Sequence, residues 1–290
     1  MHVEVYAPVG MLPAMTARKH RRCRLTRACA TTAACAASAA AITLTGTPTA
    51  VAAPIDAGAV GPWVAIAGVY GTGHIADFTA ASEPAPGVSI LQPAPDGTAS
   101  LCTAGWAVMS VRRDIGYLTA GHCDQDEGSP LWMYTDTHGQ QRMSLLPLQN
   151  AERGADDGGR SYDAALFFLS PDQQSSGFGT DVADGVHLRG VLTVDQAQTL
   201  EPGTPICMHG SRSGITCGPL IAAGSDELLW GGAAVKGDSG APVFVVNADG
   251  DAMAVGTLAG GPAVDQNYAT YLAPVLDRLK LRAIVEQAAQ

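Results

Sequence analysis

An all-β, antiparallel fold is what the sequence predicts for residues 101–290, and three observations carry that expectation. Short apolar runs recur at regular spacing, turn residues punctuate them (34 Gly and 18 Pro in 290 residues), and no helical periodicity alternates with them. In chain order the expected strands are AGWAVMSV (104–111), IGYLTA (115–120), LWMYT (131–135), DAALFFL (163–169), VHLRGVLTV (186–194) and TPICMHG (204–210). APVFVV (241–246) and AMAVGTL (252–258) follow, joined by Asn247-Ala248-Asp249-Gly250-Asp251, a hairpin signal. This pattern fits an antiparallel barrel or sandwich. Only the end reads as helix: LAPVLDRLKLRAIVEQ puts Leu272, Val275, Leu276, Leu279 and Ile284 on one stripe, with Pro274 near the start.

The preceding residues differ in kind. Arg18, Lys19, Arg21, Arg22, Arg24 and Arg27 form a basic block, and Ala28 to Ile55 carries no charge. A basic region, an apolar stretch and a small-residue site such as Ala50-Val51-Ala52 read as a secretory signal over residues 1–52. Met15, just before the basic block, is a candidate true start. The uncharged stretch is rich in Ala, Thr, Gly and Pro, which favours a signal over a membrane anchor. No stable membrane insertion is expected once the signal is removed. Residues 53–100, rich in Ala, Pro and Gly, read as a loosely ordered extension or short propeptide.

After removal of the signal, 11 basic and 26 acidic residues remain, a formal charge near −15 against −10 for the whole chain. So acidic a surface argues against nucleic acid and anionic lipid as partners. Four cysteines remain as well: Cys102, Cys123, Cys207 and Cys217. An even count in an exported chain reads as disulfides, and four permit three pairings. The sequential pairing closes two modest loops. Zinc at Cys123 beside His122 is disfavoured because no CxxC pair exists, and the acidic run Asp124 to Glu127 lacks the spacing of a calcium loop. No metal or cofactor is expected.

Three residue types with complementary chemistry stand at element boundaries. His122 follows a strand in Leu118-Thr119-Ala120-Gly121-His122-Cys123, Asp163 opens an apolar strand, and Ser239 sits in Val235-Lys236-Gly237-Asp238-Ser239-Gly240-Ala241-Pro242. A serine hydroxyl is a weak nucleophile until a base takes its proton, and that base needs an anion to fix its tautomer.

TAGHC, an Asp opening an apolar strand and GDSG, in that order, resemble the chymotrypsin-like serine proteases. CMHGSRSGITCG (207–218) and LAGG (258–261) make the chain similar to the secreted bacterial branch, the streptogrisins and α-lytic protease. The resemblance covers residues 101–290. It implies two perpendicular, antiparallel six-stranded β-barrels with a C-terminal helix and a cleft carrying a His122–Asp163–Ser239 triad. It also implies an oxyanion hole from the N–H groups of Gly237 and Ser239. The expected activity is secreted serine endopeptidase action on peptides or proteins, by a monomer, and the expected disulfides are 102–123 and 207–217. Ala233, six residues before the nucleophile, would floor the substrate pocket, with Lys236, Ala259, Gly260 and Gly261 around it. That pocket carries no charge at its base and should favour apolar side chains.

The chain departs from the family pattern in two places. Ala241 stands where glycine is more usual, and Ala259 where many relatives place a serine bonded to the catalytic aspartate. The rival reading is a catalytically silent relative that binds a partner through the cleft. An esterase of the GxSxG type is disfavoured, because the second glycine is absent.

Overall fold

The computed structural model of the chain describes residues 61–67, 77–94, 96–155, 159–263 and 265–286. The signal reading, with Met15 and Ala50-Val51-Ala52, lies outside the described residues. Among the described residues no helix is long and apolar enough to cross a membrane.

The chain runs β1 (Ser89–Pro93), β2 (Ala99–Thr103), β3 (Ala107–Ser110), β4 (Ile115–Thr119), β5 (Leu131–Tyr134), β6 (Arg142–Leu145), β7 (Gln149–Ala155), β8 (Ser161–Phe168) and α1 (Pro171–Ser176). It continues with β9 (His187–Val191), α2 (Val194–Gln198), β10 (Pro205–Gly210), β11 (Gly214–Ala223), β12 (Glu227–Gly231), β13 (Pro242–Val246), β14 (Asp251–Ala263), β15 (Gln266–Tyr271), α3 (Leu272–Leu279) and β16 (Leu281–Ala283).

Two sheets make the first barrel, β2-β1-β5-β6 and β16-β3-β4-β8-β7. Only three residues separate β2 from β3, and three separate β6 from β7. Each pair is therefore one bent strand that passes from sheet to sheet, and six strands close the ring. Corners of this kind let strands turn without a loop. In the second barrel β10, β11, β12, β15, β14 and β13 close directly, β13 pairing with both β14 and β10, while β9 adds outside as a parallel partner of β14.

The run PVFVV of β13 is buried throughout, and its period-2 geometry explains why. Val243 and Val245 point into the second barrel among Met208, Trp230 and Val255. Phe244 and Val246 point the other way, into a third apolar cluster with Trp106, Val108, Leu118, Leu166 and Leu272. β8 divides likewise, with Ala165 and Phe167 inside the first barrel and Ala164 and Leu166 in the cluster between the two. A strand buried on both faces reads as a continuous apolar run. Across this seam the Trp106 indole donates to the Gly256 carbonyl at 2.7 Å.

Three local expectations need correction. β1 lies inside the segment read as a loosely ordered extension, yet it is hydrogen-bonded on both sides, to β2 and β5. Nearby, the Thr79 hydroxyl donates to the Ser211 carbonyl at 2.5 Å, and Phe78 packs on Tyr134. Prolines around a five-residue strand hid it. The expected helix from 272 onward stops at Leu279, because Lys280 turns into the left-handed region (φ 55°) and Leu281–Ala283 pair with β3. The strand expected to run to 194 ends at Val191, where Thr193 and Gln196 form a reciprocal cap that starts α2.

Candidate active site

The corner that carries His122 is tied from several directions. After β4 the chain makes a single 3-10 turn, Gly121–Cys123, and Cys123 is disulfide-bonded to Cys102 of β2. The Thr119 hydroxyl donates to the Thr103 carbonyl at 2.9 Å, fixing the same two elements again. Asp163, near the start of β8 and only 4% exposed, meets this corner with both carboxylate oxygens. Its Oδ1 accepts from the backbone N–H of His122 at 2.9 Å, and its Oδ2 lies 2.7 Å from His122 Nδ1. A carboxylate on Nδ1 holds the proton there and leaves Nε2 as the free base.

The GDSG turn is seated on that same corner. Ser239 accepts at its carbonyl from the Thr103 N–H (2.8 Å), and Gly240 donates to the Leu258 carbonyl (2.9 Å). At Gly240 (φ +88°) a Cβ would lie 2.1 Å from Thr119 Oγ1 and 3.0 Å from the Ala120 nitrogen. Only glycine permits that approach, two residues from His122. Ala241 avoids the left-handed region and is fully buried, its N–H on the Asp238 carbonyl at 2.9 Å.

Gly237 (φ +105°) turns its carbonyl inward, where the hydroxyls of Thr103 (2.9 Å) and Ser211 (3.0 Å) donate to it. Asp238, completely buried, accepts from four donors: the N–H groups of Arg212 (2.9 Å), Ser213 (3.0 Å) and Val235 (2.8 Å), and the Ser213 hydroxyl (2.5 Å). In this way the short loop after β10 and the segment before the turn are pinned to one carboxylate. Among the described residues, the N–H groups of Gly237 and Ser239 meet no backbone acceptor.

The second disulfide, Cys207–Cys217, joins directly opposed residues of β10 and β11 with Cα atoms 4.0 Å apart. It stiffens the hairpin that supplies Ser211 to Ser213.

The five residues expected around the substrate pocket separate into two groups. Ala259, Gly260 and Gly261 line a cavity of about 300 Å3 beside Asp163, with Tyr162 and Tyr268. The Ala233 carbonyl accepts from the Thr216 hydroxyl (2.9 Å) and the Lys236 carbonyl from Arg212 Nη1 (3.0 Å), and neither residue lines that cavity. A second hollow of about 1000 Å3 opens from His122 along Asp124, Glu127, Leu148 and Glu152. Sequence reading passed over Asp238, Thr103 and Ser211. For Asp238 the signal lay within GDSG itself, but hydroxyls on distant strands have none.

No family model matches this sequence, and no curated protein matches it. Solved structures do. A glutamic acid-specific serine protease, described as using a novel histidine triad in substrate binding, is 16% identical, with 69% of this chain and 99% of that chain covered and a TM-score of 0.51. Nocardiopsis protease is 19% identical over 69% of this chain and 98% of its own (TM-score 0.49). Cellulomonas bogoriensis chymotrypsin is 20% identical over 70% and 100% (TM-score 0.47). The likeness is one of fold: the chain has the two-barrel architecture of chymotrypsin-like serine proteases.

Proposed function

We propose that the chain is a secreted serine endopeptidase in which Ser239 is the nucleophile, His122 the base and Asp163 the group that orients it. The observation that carries this reading is the pair of hydrogen bonds from His122 to Asp163, made where the GDSG turn packs against the histidine corner. As Ser239 Oγ attacks the scissile carbonyl carbon, its proton passes to His122 Nε2, and Asp163 stabilises the imidazolium. The carbonyl electrons move onto oxygen, which takes the N–H groups of Gly237 and Ser239 as donors. His122 then gives its proton to the departing amine, the C–N bond breaks, and an acyl ester remains on Ser239. Water repeats the sequence to release the acid.

The pocket reading extends the proposal. Ala233, Lys236, Ala259, Gly260 and Gly261 place no acid at the pocket base, so apolar side chains before the scissile bond should be preferred. The preference should be modest, since each buried methylene is worth about 1–3 kcal/mol. Tetrapeptide substrates varied at that one position measure it, and a preference for Arg or Lys would refute the pocket assignment. The activity itself is tested with a fluorophosphonate probe: labelling should occur on the purified chain and vanish in Ser239→Ala. A folded chain that never reacts would instead favour the binding-protein reading.

A further inference from the structure

Three residues far apart in sequence meet where the connector between the barrels enters β9. Asp181 lies in that connector, His187 opens β9, and Glu286 follows β16. His187 Nδ1 is 3.1 Å from Asp181 Oδ1 and 3.0 Å from Glu286 Oε2, and one ligand atom from each residue lies within 4.8 Å of the other two. The Glu286 backbone is anchored too: its N–H donates to the Leu188 carbonyl at 2.9 Å, and its carbonyl accepts from Arg189 Nη1 at 3.2 Å.

A simple ion pair does not account for this arrangement. One protonated histidine needs one carboxylate, and here two converge on the same ring nitrogen. Arg189, next to this cluster, points its Nε at Asp251 at 2.5 Å.

The donor set is one imidazole nitrogen and two carboxylate oxygens, which suits a borderline metal ion. Tetrahedral zinc with ligands at about 2.0–2.1 Å holds its ligand atoms roughly 3.3 Å apart, close to the two separations seen here. The side chains of His187, Asp181 and Glu286 are 34%, 46% and 40% exposed, so a water can complete the shell. We propose that Asp181, His187 and Glu286 form a site for a divalent transition-metal ion of zinc-like preference, which clamps the segment after β16 to the connector between the barrels.

The test uses the full chain carrying Ser239→Ala, which prevents self-digestion, stripped with a chelator and titrated with zinc chloride. Calorimetry should find one equivalent bound, with a rise in Tm that chelator reverses. His187→Ala should weaken binding more than about tenfold, the smallest loss usually seen even for outer partners of metal ligands. Glu286→Gln, which keeps the side-chain shape, should weaken it likewise if His187→Ala does not fold. Zinc affinity unchanged in both variants, or no binding to the parent chain, would overturn the site. So would binding that is lost in His122→Ala but kept in His187→Ala, because the metal would then belong to the other histidine.

Discussion

Asp163 and Asp238 are both buried carboxylates beside the same turn, yet their surroundings are opposite. Asp238 is met by four donors on two segments, three of them backbone N–H groups. Asp163 is met by two, and both come from His122. A buried charge must be compensated, and the donors chosen determine what it can do. Three backbone N–H groups and the Ser213 hydroxyl convert the Asp238 charge into shape, holding the loop after β10 against the Gly237–Gly240 turn. One backbone N–H and one ring nitrogen of a single histidine leave Asp163 able to answer a change of charge on that ring.

The comparison can be broken first on the side of Asp163. Asp163→Asn should reduce peptide turnover by about 10,000-fold, the usual consequence of losing tautomer control in such a triad, with little change in Tm. Rates on a peptide substrate and thermal melts of the same sample decide it, and a large fall in Tm would make Asp163 structural. Asp238→Asn should do the reverse in kind. An amide presents one NH2 to donors that need an oxygen, so unfolding in urea should show a loss of about 3 kcal/mol. Unchanged stability would mean that the four hydrogen bonds do not hold the turn.

Removing the hairpin's cross-link sharpens the same point more gently. Cys207→Ala with Cys217→Ala opens a loop of ten residues' separation and should lower stability by about 2 kcal/mol in urea unfolding. The smallest expected effect is a pH dependence at His209, on β10 behind the loop pinned by Asp238. Burial holds its imidazole below the ordinary value of 6.5, while its Nδ1 bonds to the Val182 carbonyl at 2.7 Å. The unfolded chain therefore takes up this proton more readily than the folded one. The contribution is complete above about pH 6.5 and declines as pH falls below it. Melts of wild type and His209→Gln from pH 7 to pH 5 should converge; parallel curves would remove His209 as the cause.

Strands buried on both faces were the easiest to read. DAALFFL and APVFVV are continuous apolar runs because alternate residues enter a barrel core and the seam between barrels. β7 was illegible for the opposite reason: QNAERGA is exposed along its whole length and carries no pattern. β16 was lost inside an apparent helix, since only the left-handed turn at Lys280 separates the two. Around the site, short motifs singled out His122, Asp163 and Ser239 as candidates, and the structure brings His122 and Asp163 together. No motif singled out Asp181, His187 and Glu286, because they converge only when β9 and the segment after β16 are laid side by side. Thr103 and Ser211, which hold the Gly237 carbonyl, are ordinary hydroxyls in sequence.

The pairing of β16 with β3 has a consequence for how the molecule is made. β3 leaves the ribosome about 170 residues before its partner does, an interval on the order of ten seconds or more at typical elongation rates. Throughout that time one edge of the first barrel offers unpaired backbone to any neighbouring strand. A nascent chain, or one terminated before β16, is therefore exposed to self-association that the finished chain escapes.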